Sequence, residues 1–136
     1  MNILVIDGQG GKLGCQMVRS IAEKYPDARL MAVGTNSAAA AAMAKAGAHQ
    51  AAAGENPLIV ACRKADIIIG PIGIVIADSL FGEITPAMAV AVAQADAVRI
   101  LMPVNRCDNI VAGVPDLSLT ALILDAMAKL ESIMQR

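Results

Sequence analysis

The amino-terminal 24 residues constrain the fold most strongly. A short apolar run, Ile3–Ile6, precedes the glycine-rich segment DGQGGKLG at positions 7–14, and apolar residues then recur at helical spacing. A continuous run of β-branched and aliphatic residues predicts a strand that is buried on both faces. The periodicity after the glycines predicts a helix over 12–24, which Pro26 ends. This unit is therefore predicted to be a strand, a glycine turn and a helix.

The same alternation continues along the chain. The pattern predicts further strands at Leu30–Val33, Gln50–Ala53, Ile67–Ile69 and Val98–Met102, with a short sixth strand at Ile110–Val111. It predicts helices over 38–46, 57–64, 86–95 and 117–134, with N-caps at Ser37, Asn56 and Thr85 for the first three. Residues 70–82 are ambiguous and are interpreted as a glycine-proline turn followed by an irregular or helical stretch.

Strands that alternate with helices are typical of a parallel sheet covered on both faces. The sequence therefore predicts an α/β protein with a Rossmann-like three-layer α/β/α architecture. The sheet is expected to be mostly parallel, with about five or six strands. We find no linker and no internal repeat, so residues 1–136 are expected to form a single domain.

Composition excludes several classes of protein. The chain is 57% hydrophobic and 17% charged, which favours a globular core over disorder. A net charge of −1 and the absence of Trp argue against a nucleic-acid partner, which requires a basic face. The longest apolar run, 67–77, is interrupted by glycine and proline and is shorter than the ~20 residues of a membrane span. We expect no membrane partner.

Cysteine and histidine positions indicate neither a disulfide framework nor a metal site. Cys15, Cys62 and Cys107 are odd in number and widely spaced, which suits a reducing compartment, and we expect a cytoplasmic protein. Together with the only histidine, His49, they lack the close spacing of metal ligands, so no metal is expected. No G-x-S-x-G elbow is present, and catalytic residues stay unassigned.

The glycine turn is the most informative motif. Its spacing is G-x-x-G-x-x-G at Gly8, Gly11 and Gly14, with Gly10 in addition, and it lies where Rossmann domains bind phosphates through backbone N–H groups and a helix dipole. It resembles the turn of the extended short-chain dehydrogenase and epimerase families. The resemblance implies that Gly8 makes the tight turn, Gly11 lets the backbone approach a pyrophosphate, and Gly14 allows helix and strand to pack closely. A turn without a ligand is the alternative.

The end of the second strand departs from the pattern of NAD-binding proteins. Those proteins place an Asp or Glu there to bind the ribose 2′-hydroxyl, whereas this chain has Thr35 and Asn36. Thr35, Asn36 and Ser37 are candidates for contacts to a 2′-phosphate, with Lys12 supplying charge. Ordinary helix capping is the alternative for Thr35 and Ser37. The cofactor is therefore left open, with NADP or another phosphate-bearing nucleotide as the leading candidate.

Ligands of open α/β sheets bind beyond the carboxyl ends of the strands, where many polar residues of this chain collect. Asp7 is expected to orient the glycine loop. Arg106 is the best candidate to bind an anion, because its planar guanidinium group suits phosphate. The candidates for cofactor binding are Gly8, Gln9, Gly10, Gly11, Lys12, Leu13, Gly14, Thr35, Asn36, Gly70, Pro71 and Ile72. Further candidates at this edge are Asp7, Glu55, Asn105 and Arg106.

The chain as a whole resembles an uncharacterised bacterial family of similar length, a domain of unknown function. The segments that carry the resemblance are VIDGQGG at 5–11, GPIG at 70–73, GEITPA at 82–87 and NRC at 105–107. The resemblance implies a Rossmann-like bacterial protein and brings no established activity or catalytic residues.

Two main functions remain open. The first is a nucleotide-binding protein without its own chemistry, such as a sensor or regulatory subunit. The second is a small NADP-dependent oxidoreductase whose site is completed by oligomerisation, with Asn105 and Arg106 holding the substrate and Glu55 or Asp108 handling protons. A purely structural role comes third. We expect a homo-oligomer, most simply a dimer, because the terminal helix and residues 72–81 offer apolar surface.

Overall fold

Five parallel strands form one sheet in the computed structural model, which describes residues 1–104 and 108–136. In chain order the strands are β1 (Asn2–Asp7), β2 (Arg29–Gly34), β3 (Gln50–Ala53), β4 (Ile67–Pro71) and β5 (Val98–Met102). Their spatial order is β3-β2-β1-β4-β5, so the direction of strand addition reverses between β1 and β4. All strand pairs are parallel, which confirms the predicted α/β class.

Helices cover both faces of this sheet. They are α1 (Lys12–Lys24), α2 (Ser37–Ala46), α3 (Glu55–Lys64), α4 (Pro86–Gln94) and α5 (Leu119–Met134), and a short 3-10 helix, Ile72–Val75, follows β4. Buried residues of α1, α2 and α5 form one core cluster, and those of α3 and α4 form the other. The predicted three-layer Rossmann-like architecture is therefore confirmed. Within the described residues, no helix has the length and apolar character that crossing a membrane requires.

Strand β1 shows why the core has two halves. Ile3 and Val5 pack with Met17 on one face of the sheet, whereas Leu4 and Ile6 join the cluster on the other face. All four strand residues are fully buried. Because side chains alternate along a strand, a continuous apolar run is the pattern that burial on both faces requires. Each such side chain stabilises the fold by about 1.5–3 kcal/mol.

Two predicted helix caps are wrong. Asn36, not Ser37, is the N-cap of α2, and its Oδ1 accepts the N–H of Ala39 at 2.8 Å. Helix α3 begins at Glu55, so Asn56 lies inside it and does not cap it. Proline fits the first turn of α3 because the N–H groups there have no intrahelical acceptor.

The predicted sixth strand at Ile110–Val111 is also wrong, because neither residue forms a strand in the described chain. Ile110 is 93% exposed, and within the described residues β5 pairs only with β4. A two-residue apolar segment forms a strand only where a neighbouring strand supplies partners for its backbone hydrogen bonds. Thr85 is confirmed as the N-cap of α4, and Ser118 caps α5, which begins at Leu119.

Candidate functional site

Asp7 ends β1 directly beneath the glycine turn. Its carboxylate is buried and accepts two backbone N–H groups, from Gly8 to Oδ1 at 2.8 Å and from Gly14 to Oδ2 at 2.7 Å. The turn is closed by a further hydrogen bond from the N–H of Gly11 to the carbonyl of Gly8, at 2.9 Å. Burial raises the pKa of Asp7, the two backbone hydrogen bonds oppose this shift, and the nearby carboxylate of Glu83 adds to it. Asp7 therefore ties the strand, the turn and the first turn of α1 together.

Two glycines of the turn are required by helix packing. A Cβ at Gly14 would lie 2.7 Å from Cβ of Asp7 and 2.6 Å from Sδ of Met43. Gly11 has φ +74°, and a Cβ there would lie 2.8 Å from Cα of Ala39 in α2. The close approach that Gly11 permits in the structure is therefore to the backbone of α2. Gly14 brings α1 close to the end of β1.

Three backbone N–H groups of the turn, those of Gly10, Lys12 and Leu13, have no acceptor among the described residues. They lie at the amino end of the 13-residue helix α1, where the helix dipole and free N–H groups attract anions. Gly10 is exposed, and nothing lies within 4 Å of the position that a Cβ would take. The side chain of Lys12 is also exposed. This part of the turn is open to a ligand.

A groove of about 280 Å³ lies against the turn. It is lined by residues 7–13 together with Val104, which follows β5, and Leu119, which begins α5. Gly70, Pro71 and Ile72 do not line this groove. Gly70 instead lets β4 approach β1, because a Cβ there would lie 2.5 Å from the carbonyl oxygen of Ile6. Asn105, Arg106 and Cys107, which continue the chain after Val104, lie outside the described residues.

Glu83, which is not among the residues predicted from the sequence, contacts the glycine turn at Gln9. Glu83, Thr35 and Asn36 do not line the groove itself. Oε1 of Glu83 accepts hydrogen bonds from the N–H of Gln9 at 2.9 Å, the hydroxyl of Thr35 at 2.5 Å and the side-chain amide of Asn36 at 2.9 Å. The hydrogen bond from Thr35 is the main cause that lowers the pKa of Glu83, and those from Gln9 and Asn36 add to it. The carboxylate is therefore ionised near neutral pH. Oε2 has no hydrogen-bond partner in the described part of the chain.

An irregular loop, residues 76–85, carries Glu83 from the end of the 3-10 helix to the glycine turn. Asp78, Leu80 and Phe81 all have positive φ, at 65°, 55° and 58°, a conformation that costs non-glycine residues energy. The loop is anchored because Leu80 is buried, with its Cδ1 2.8 Å from the Cβ position of Gly8. Phe81 is fully exposed.

One signal for Glu83 is visible in the sequence. Asp78 and Glu83 are the only charged residues between Asp66 and Asp96, in an otherwise apolar or neutral stretch. Glu83 also lies in the GEITPA segment of the family resemblance. Its partners, however, are 74, 48 and 47 positions away along the chain, so only the fold reveals them.

The other acidic candidate, Glu55, does not line the groove at the glycine turn. Oε1 of Glu55 accepts the hydroxyl of Thr85 at 2.5 Å and so joins the first residue of α3 to the cap of α4. A separate cavity of about 510 Å³ lies against β2, β3 and α3 and is lined mainly by apolar residues. Within residues 1–104 and 108–136, no group of three or more His, Cys, Asp or Glu side chains is placed to hold a metal ion.

Comparison with known proteins identifies a family and adds no activity. No curated protein matches the chain. The model of one family, described as Domain of unknown function (DUF3842), matches residues 2–135, which is nearly the whole chain. The chain therefore belongs to the DUF3842 family of domains of unknown function.

Proposed function

We propose that this protein binds a phosphate-bearing nucleotide at the glycine turn, residues 8–14, as a sensor or regulatory subunit. The observation that carries the proposal is that the N–H groups of Gly10, Lys12 and Leu13 have no acceptor among the described residues, and that all three residues line an open groove at the amino end of α1. Convergent backbone donors at a helix amino end favour a multiply charged oxyanion such as phosphate.

The rigidity of the turn supports binding. Asp7 accepts the N–H groups of Gly8 and Gly14, so the N–H groups that have no acceptor among the described residues are held in place before a ligand arrives. Preorganised donors bind more tightly because less conformational entropy is lost on association. The cation of Lys12 lies beside the same groove and favours a negatively charged ligand.

A role in binding ranks above a role in catalysis because the described part of the groove offers few groups for proton transfer. Asp7 uses both carboxylate oxygens to hold the backbone of the turn. Glu55, a candidate proton carrier for an oxidoreductase, is bound to Thr85 instead. Lys12 is the one other ionisable side chain that lines the described groove.

A thermal-shift screen with AMP, ATP, NAD, NADP and coenzyme A tests the proposal. A ligand at 100 times its dissociation constant adds about 2.7 kcal/mol of stability, which raises the melting temperature by roughly 5–15 °C. If no nucleotide raises the melting temperature, the proposal is wrong.

A pair of variants locates the site. Gly10→Leu places a side chain in open space at the groove, and we expect it to remove the shift without unfolding the protein. Ala93→Leu adds the same side chain at an exposed position of α4, and we expect the shift to persist. A shift that survives Gly10→Leu would place the ligand elsewhere.

We also propose that the protein is a homodimer. Phe81, Ile110 and Leu124 are 102%, 93% and 67% exposed, and large apolar side chains at the surface favour association. Light scattering is expected to give twice the monomer mass of 14.0 kDa. A mass of 14.0 kDa at working concentration would refute the dimer.

A cytoplasmic location completes the proposal. The odd number and wide spacing of the cysteines, Cys15, Cys62 and Cys107, favour a reducing compartment. Immunodetection in separated cell fractions tests the location, and recovery outside the cytoplasm would contradict it.

A further inference from the structure

We infer that Glu83 selects the ligand of this site: its carboxylate accepts the ribose hydroxyls of a nucleotide and excludes nucleotides that carry a 2′-phosphate. The inference rests on the proposed function, because it names the class of nucleotide that the glycine turn binds. Residues 35 and 36, which follow β2, contain no acidic residue, and the structure brings one there from the loop after β4.

The two oxygens of Glu83 have different surroundings. Oε1 accepts three protein hydrogen bonds, from Gln9, Thr35 and Asn36. Oε2 accepts none from the described residues, and the side chain is only partly buried. An ionised carboxylate is an acceptor only, so its free oxygen is suited to hydroxyl donors. A ribose with free 2′- and 3′-hydroxyls supplies two such donors.

The same arrangement opposes a 2′-phosphate. Of the three candidate donors after β2, the hydroxyl of Thr35 and the amide of Asn36 already bind Glu83, whereas Ser37 lies exposed in the first turn of α2. A 2′-phosphate placed here would therefore lack these donors and would approach a carboxylate of like charge. An uncompensated like charge is an effective means of rejecting a competing ligand.

The carboxylate is also held firmly. Asn36 donates to both Glu83 and the carbonyl of Gln9, each at 2.9 Å, while its Oδ1 caps α2 through the N–H of Ala39. Glu83 is thus bound to segments that follow two different strands, β1 and β2. A ligand that displaced it would have to break all three of its hydrogen bonds.

The two parts of the site meet at adjacent residues of the glycine turn. The N–H of Gln9 binds Glu83, and the next N–H along the chain, that of Gly10, has no acceptor among the described residues. A hydroxyl acceptor and a phosphate donor on neighbouring residues favour a ligand that carries both groups, as a nucleotide does.

Calorimetric titration with ADP, 2′-deoxy-ADP and adenosine 2′,5′-bisphosphate, and with NAD and NADP, tests the inference. The wild-type protein is expected to bind ADP at least about tenfold more tightly than either 2′-deoxy-ADP or the bisphosphate. It is likewise expected to bind NAD at least about tenfold more tightly than NADP. Glu83→Gln replaces the carboxylate with an uncharged amide of similar shape. It is expected to reduce these preferences to about threefold or less. Glu131→Gln is the matched control, because its carboxylate binds Lys24 at the carboxyl end of α1, opposite to the glycine turn, and it is expected to keep these preferences.

The outcomes separate the two levels of the proposal. Equal affinity of the wild-type protein for 2′-hydroxyl and 2′-phosphate ligands would overturn the role of Glu83 and leave nucleotide binding intact. Unchanged preference in a folded Glu83→Gln variant would do the same. Failure of every nucleotide to bind would overturn nucleotide binding itself. The wild-type comparison needs no variant, so the inference stays testable if Glu83→Gln does not fold.

Discussion

Oδ2 of Asp7 accepts the N–H of Gly14 at 2.7 Å, and this hydrogen bond joins the last residue of β1 to the first turn of α1. The pair is interdependent. A side chain at Gly14 would lie 2.7 Å from Cβ of Asp7, so the carboxylate reaches the N–H only because residue 14 is glycine. The conformation of the glycine turn therefore depends on a buried acid as much as on the glycines.

Removal of this acid is expected to destabilise the fold. Asp7→Ala leaves the N–H groups of Gly8 and Gly14 without their acceptor, and a buried donor without a partner costs about 1–3 kcal/mol. We expect urea denaturation to show a loss of at least this size in the free energy of unfolding. Asp27→Ala, at an exposed position, is the control and is expected to change stability by less than about 0.5 kcal/mol. Equal effects of the two substitutions would contradict the role of Asp7.

Adjacent glycines of the turn are expected to respond differently to the same substitution. Gly11→Ala forces a Cβ into a positive-φ residue 2.8 Å from the backbone of Ala39, which costs about 1–2 kcal/mol or more. Gly10→Ala meets open space and has no positive φ, so its effect is expected to stay within about 0.5 kcal/mol. Melting temperatures of the two variants, measured side by side, check this difference. A stable Gly11→Ala variant would show that α2 moves away easily.

The sequence predicts the framework of the fold better than its loops. The strands and helices follow from the apolar periodicity, because burial on one or both faces imposes a period that is visible locally. Ile110–Val111 fails as a strand because an apolar dipeptide carries no information about whether a neighbouring strand edge exists. Asn36, and not Ser37, is the N-cap of α2. Both residue types cap helices well, so residue type does not distinguish them, and the position of the cap depends on where β2 ends.

The candidate site is predictable only in part, for a similar reason. The glycine turn is local, so its position between a strand and a helix is evident from 24 residues. Glu83 reaches that turn through a loop in which Asp78, Leu80 and Phe81 adopt positive φ, and no residue preference indicates such a path. The partners of Glu83 are distant in sequence, and its role depends on contacts that only the folded chain creates.

Acid is expected to remove the stability that Glu83 contributes. Its pKa is lowered below 4.5 in the folded protein, so the unfolded state binds the proton more readily. The contribution is therefore fully present above about pH 4.5 and is lost as the pH falls through the folded-state pKa. The difference in unfolding free energy between the wild-type protein and Glu83→Gln is expected to shrink on acidification. Denaturant titrations at a series of pH values measure it, and a difference that grows towards low pH would contradict the assignment.

Cys62 is expected to resist thiol reagents in the folded protein. Burial raises its pKa to about 11, so at pH 8 only about one molecule in a thousand carries the thiolate that reacts. Cys15 is partly exposed and is expected to react first. Labelling with a maleimide, followed by peptide mass spectrometry, compares the two rates. The same reagent is expected to modify both residues rapidly in denaturant, and rapid labelling of Cys62 without denaturant would show that α3 opens readily.

Phe81 is expected to weaken the monomer and to strengthen the dimer. Its φ of 58° is unfavourable for an aromatic residue, and its ring is 102% exposed, so the side chain buries no surface within one chain. Asparagine tolerates positive φ, and Phe81→Asn is expected to raise the stability of the monomer by about 0.5–1 kcal/mol. Leu80→Ala, which removes the neighbouring buried side chain, is expected to lower it by about 2–5 kcal/mol.

The two effects of Phe81 are separated by protein concentration. Melting curves at a concentration where light scattering finds the monomer report the backbone strain alone. At concentrations where the dimer forms, Phe81→Asn is expected to raise the dissociation constant, because the ring then loses surface that it buries against the partner. A variant that lowers monomer stability would show that the ring packs within its own chain. An unchanged dissociation constant of the dimer would show that Phe81 does not lie in the interface. The backbone strain at this position would then have no role in assembly.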